Sequence, residues 1–157
     1  MAGDIRAKER AIVTLTSTGS SLANGSGGSA GTDFDGRAAG NAADDFQAQF
    51  QLTCQWATIT SIVKDTVIAE LYLVPKMDGT NLPALDSTAS TSAYPRSCLA
   101  DVFVAVKAPT ANTDMIFVTA TVNISPRLYT AHIINRSGQT MAVNWTLKVV
   151  SDQGQYT

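Results

Sequence analysis

Asp45-Phe-Gln-Ala-Gln-Phe-Gln-Leu-Thr53 alternates apolar and polar residues without a break. A repeat of two is the signature of a β-strand with one buried face. It puts Phe46, Ala48, Phe50 and Leu52 on the core side and the glutamines on the other. Working outward, further β-branched and apolar runs follow, each closed by a turn signal. Arg10–Thr16 reads as a first strand. Trp56, with Ile59 and Ile62, suggests a short strand, and Lys64-Asp65 marks a turn. Thr66–Val74 is a strand stopped by Pro75, with a turn at Asp78-Gly79 and a long polar loop over Asn81–Ser97. Asp101–Lys107, Met115–Val122, Leu128–Asn135 and Thr140–Val150 complete the set. Asn135-Arg-Ser-Gly-Gln139 reads as the hairpin loop between the last two. No stretch shows a persuasive helical repeat. The expected fold is all-β, an antiparallel, jelly-roll-like β-sandwich with a Gly/Ser-rich N-terminal extension.

Residues 17–43 break the pattern. They hold seven of the 11 glycines and only Leu22 and Phe34 as large apolar side chains. Such a stretch reads as a flexible linker, or as a segment that orders against a partner. The chain thus divides at 1–43, an N-terminal arm or first strand plus the flexible segment, and 44–157, the sandwich body. In an arm, Ile5, Ile12, Val13 and Leu15 would be the interface anchors; the alternative makes them a first strand. The expected core comprises Phe46, Phe50, Leu52, Leu71, Leu73, Phe103, Val104, Phe117, Ile133, Val143, Trp145 and Leu147.

The chain has 157 residues, enough for one well-buried domain. Charged residues are 15%, and Ser and Thr supply much of the polar surface. A formal charge of −2, spread singly, offers no basic face for a phosphate backbone. No apolar run approaches the roughly 18 residues of a membrane span. Met1–Arg10 has charges but no apolar stretch behind them, unlike a secretory signal. Nucleic acid and membrane are therefore not expected partners.

Catalysis needs groups with tuned pKa values, usually held in pairs. His132 is the one histidine and lies in a strand-like run. Cys54 and Cys98 sit in no nucleophile motif and read as buried free thiols, with pairing the alternative. Asp33, Asp35 and Asp44 occupy positions 1, 3 and 12 of a calcium-type window. Its glycine is misplaced at Gly36, and Arg37 stands inside it. The expectation is a non-enzyme without cofactor or metal.

Ala69-Glu-Leu-Tyr-Leu-Val-Pro75 with Asp78-Gly-Thr-Asn81 resembles a strand and turn of small structural proteins of tailed-bacteriophage virions. Ile133-Ile-Asn-Arg-Ser-Gly-Gln-Thr-Met141, ahead of Trp145, is similar to the last hairpin of that group. The resemblance implies a capsid decoration (cement) protein in the virion. It would be made in the host cytoplasm, with the major capsid protein as partner and a homo-oligomeric state. A different class of function is a tail or fibre component whose sandwich binds carbohydrate, with Trp56, Tyr72, Tyr94, Tyr129 and Trp145 as stacking surfaces.

Overall fold

The computed structural model describes residues 5–16, 18–37, 44–76 and 96–156. The strands are β1 (Ile5–Glu9), β2 (Val13–Thr16), β3 (Gly27–Ser29), β4 (Phe34–Asp35), β5 (Asp45–Cys54) and β6 (Val67–Pro75). After a 3-10 turn at Arg96–Cys98 come β7 (Leu99–Val104), β8 (Met115–Val118), β9 (Val122–Asn123), β10 (Leu128–Asn135) and β11 (Thr146–Tyr156). Among the described residues they make two antiparallel sheets. A six-stranded sheet runs β1-β11-β5-β8, with β2 also on β11 and β9 on β5. A five-stranded sheet runs β3-β10-β6-β7, with β4 also on β10.

Setting aside β1 and the two-residue strands β4 and β9, the orders are β2-β11-β5-β8 and β3-β10-β6-β7. Numbered along the chain, these are 1-8-3-6 and 2-7-4-5, the double Greek key of a jelly roll. The protein is thus an all-β, jelly-roll sandwich. Its core includes Phe50, Leu52, Trp56, Leu71, Phe103 and Leu147, all fully buried. Phe34 meets Phe50 edge-on at 5.9 Å and stacks on Tyr129 at 6.2 Å.

Nine of the twelve expected core residues are buried. Val104 is half-buried, and Phe46 and Val143 are exposed. A bulge explains Phe46. Asp152 pairs with Gln47 but Gln153 pairs with Asp45, so Phe46 is left without a partner. The extra residue reverses the alternation. Phe46 turns outward and Asp45 turns in, where its carboxylate accepts from Arg10 at 2.8 Å and from Ser151 Oγ at 2.7 Å.

Two other local readings change. Residues 55–66 form a loop in which Trp56 and Ile62 are buried, so burial does not require a strand there. The Asn135–Gln139 turn joins no hairpin, because β10 and β11 lie in different sheets. The Asn135 side chain donates to the Leu22 and Gln139 carbonyls, and Ser137 donates to Asn135 Oδ1. That buried polar knot carries the chain across the sandwich. The Asp78-Gly79 turn and most of the Asn81–Ser97 loop lie outside the described residues.

The described part of 1–43 is woven into both sheets: β1 and β2 pair with β11, β3 and β4 with β10. Backbone bonds tie the rest, Gly19 N to Trp145 O and Leu22 with Met141 in both directions. Its glycines serve packing as well as freedom. A methyl on Gly19 would overlap the Trp145 ring, and one on Gly28 would meet Trp145 Cζ2 at 2.8 Å. Gly19→Ala is expected to destabilise by about 2–3 kcal/mol, in the range of overpacking. At Gly31 the nearest atom to an added methyl is 4.0 Å away. Gly31→Ala should therefore be neutral or stabilising by up to ~1 kcal/mol. Paired urea titrations check both; equal effects would refute the tryptophan platform.

Candidate functional site

Of the candidate groups in the sequence, His132 and Cys54 are turned inward, and Asp33 and Asp35 are bound to neighbouring side chains. His132 is buried, its Nδ1 2.8 Å from Ser29 Oγ. Burial pushes its pKa down to about 4. Cys54 is a buried free thiol whose pKa is driven up by desolvation, with Asp114 adding to the effect. Cys98 is free and half-buried. Cys54, so desolvated, holds little thiolate, the reactive form.

The calcium-type window is divided among other partners. Burial works to raise the Asp33 pKa. Lys76 at 2.6 Å and Thr130 at 2.7 Å outweigh it and hold Asp33 below the usual carboxylate range. Arg37 donates twice to Asp35 at 2.7 Å and lowers its pKa as well. Among the described residues, no three acidic, His or Cys side chains meet in a metal-binding group. Glu70 accepts from Arg136 at 2.7 Å and from the Tyr72 hydroxyl at 3.0 Å.

The His132 shift has a stability consequence whose sign is fixed. An unfolded histidine titrates near 6.5, and the folded value lies below it. The unfolded chain therefore binds the proton first, and the native state loses stability as pH falls from about 6.5 towards 4. The full loss is on the order of 3 kcal/mol. His132→Gln should flatten this part of the pH profile, read by urea melts between pH 7.5 and 4. A variant with the same slope as the parent would remove His132 as the cause.

Two clefts open along opposite edges of the sandwich, where the sheets part. One, of about 400 Å³, lies between β7 and β9. Its Asp101 carboxylate accepts from the Val102 and Ala120 amides, and the Tyr129 hydroxyl bonds to Ser125. The other, about 440 Å³, lies between β2 and β3 over Trp145, with glycine and hydroxyl walls. Neither presents an exposed aromatic ring. Trp56, Tyr72, Tyr129 and Trp145 are all buried, so none can stack on a sugar. Tyr94 lies outside the described residues.

Several large apolar side chains also stand on the surface, among polar and charged ones such as Lys64, Asp65, Lys107 and Asp114. Of the expected anchors, Ile12 is 66% exposed and Val13 is exposed at the β2 edge, but Leu15 is in the protein's own core. Ile5 lies in β1, and its side chain is outside the described residues. Sequence reasoning missed two sets. Ile116 and Val118 of β8 are exposed on the outer face of the six-stranded sheet. The uniformly apolar run Met115–Val118 gives no alternation to say which side chains face out. Val63, Val106 and Val143 are exposed in the loops 55–66, 105–114 and 136–145. Those loops share one end of the sandwich, as the bonds Asp65 N to Ala105 O, Arg136 N to Ile68 O and Ala142 N to Gln55 O show.

No family profile matches the chain, and no curated protein matches it. Among solved structures, the C-terminal CBM6 of LamC, a marine laminarinase from Zobellia galactanivorans, gives a TM-score of 0.40 at 12% identity. That match covers 93% of this chain and 98% of the other, and so faint a likeness assigns this chain no function.

Proposed function

We propose that this chain is a structural virion protein that binds and stabilises a phage capsid lattice, with the major capsid protein as its partner. The observation that carries this reading is the loop end, where Val63, Val106 and Val143 are exposed while Arg10, Lys76 and Arg136 pair within the chain. The exposed valines are cheap to desolvate, which suits a protein that works by contact, and the exposed Lys64, Asp65, Lys107 and Asp114 of the same loops offer it polar contacts. Repetition on a symmetric lattice reinforces each weak contact. The resemblance of Ala69–Pro75 and Ile133–Met141 to virion proteins points the same way.

Co-sedimentation with undecorated particles of the source phage tests it. Val106 is 77% exposed, so Val106→Asp should leave the fold intact and weaken binding about tenfold or more. Raising salt from 50 to 200 mM should change the affinity less than about threefold, since net charge is small. A nucleic-acid binder would lose about 10³-fold or more. Full-length protein that binds no particle would end the decoration reading.

A further inference from the structure

The outer face of the six-stranded sheet sets exposed apolar side chains among amides and charges. Residues paired across an antiparallel ladder share a face. Gln51 pairs with both Lys148 and Val118, and Gln49 pairs with Val150. Ile12, Gln49, Gln51, Val118, Lys148 and Val150 line one shallow groove of about 150 Å³ on this face. Ile12 and Val118 stand at its rim, 66% and 54% exposed.

The charges on this face have a pattern, in which Glu9 of β1 pairs with Asp152 of β11 and makes that end of the face the more negative. Along β11, residues 148, 150 and 152 project outward, so Lys148 and Asp152 lie symmetrically about Val150. Each is roughly 7 Å from it along the strand. Neither belongs to an ion pair among the described residues. The neighbouring outward positions of β5 are Gln47, Gln49 and Gln51, whose amides both donate and accept.

We propose that this face seats a second copy of the chain, packed sheet against sheet about a two-fold axis that crosses β11 over Val150. The axis runs in the plane between the sheets, perpendicular to β11. It brings Lys148 of each copy over the partner's Asp152, making two symmetric ion pairs. An axis parallel to the strand would instead set lysine on lysine, so the charge pattern selects the first. Face-to-face sheets align within about 30° at a spacing of about 10 Å, within reach of a lysine and an aspartate together. The glutamine amides meet their own kind, each able to give and take a hydrogen bond. The assignment rests on the sheet face and not on the particle reading.

Sedimentation equilibrium of the full chain over a concentration series tests it. Wild type should dimerise. Lys148→Asp and Asp152→Lys should each raise the dissociation constant by about tenfold or more, through like charges in contact. The double exchange should restore it to within about threefold of wild type. Thermal melts close to the parent's establish that each variant folds. A wild type monomeric at about 1 mM, single exchanges without effect, or a double exchange that stays dissociated would overturn the proposal. A monomer that still co-sediments with particles sinks this interface and spares the particle reading. A dimer that binds no particle does the reverse.

Discussion

Removing residues 1–16 is expected to cost the protein most of its stability, with the thermal midpoint falling by on the order of 20 °C or the cooperative transition vanishing. Two losses add up. Leu15 is a core residue, and emptying a buried leucine site costs about 2–5 kcal/mol. Arg10 is the cation on Asp45, whose side chain has no exposed surface. Breaking a buried pair by removing one partner costs about 3–5 kcal/mol, less here because Arg10 itself is about one-third exposed. The β11 edge also loses its β1 and β2 ladders. Differential scanning calorimetry of the truncated chain decides the matter. A midpoint within about 3 °C of the parent would mean that the segment is a dispensable arm.

Phe50→Ala is expected to destabilise by about 3–5 kcal/mol, and Phe46→Ala by less than about 1 kcal/mol. The two phenylalanines share a strand and, by simple alternation, a face. The bulge separates them: Phe50 is fully buried against Phe34, and Phe46 is 40% exposed. Urea unfolding of the two variants tests the register directly. Comparable losses would place both rings in the core and abolish the bulge.

These two expectations mark where the sequence is legible and where it is not. Period-two patterning reveals β5, and β-branched runs reveal β6 and β10, because a half-buried or buried strand leaves its burial in composition. A bulge leaves no such trace. Phe46 and Asp45 differ from the ideal pattern only through the pairing of Gln153 across the sheet. Residues 17–43 mislead for a related reason. Few apolar side chains imply little packing, yet Gly19 and Gly28 are sites where a neighbour, Trp145, supplies the packing. A glycine read alone signals freedom; against a distant indole it signals close approach. The turn at 135–139 has hairpin composition, but its Asn135 side chain is spent on Leu22, 113 residues away.

The candidate surfaces were less legible still. His132 and Cys54 could be judged as poor catalysts from their isolation in the sequence, and burial supplies the physical reason. Leu15 and Ile12 looked equivalent as anchors, since both are apolar and close together. The chain turns one into the core and the other onto the sheet's outer face, a choice made by the β2–β11 register and its irregularity at Leu147/Lys148. Outward apolar residues such as Val118 and Val106 are distinguished from core residues only by tertiary pairing.

We propose that the sandwich docks on a particle lattice through its valine-bearing loop end. Electron microscopy of the intact source particle at side-chain resolution tests it most directly. The expected result is sandwich density repeated with the lattice symmetry on the head, with Val63, Val106 and Val143 turned towards the capsid shell. Density absent from the head, or present with that loop end facing solvent, would contradict it.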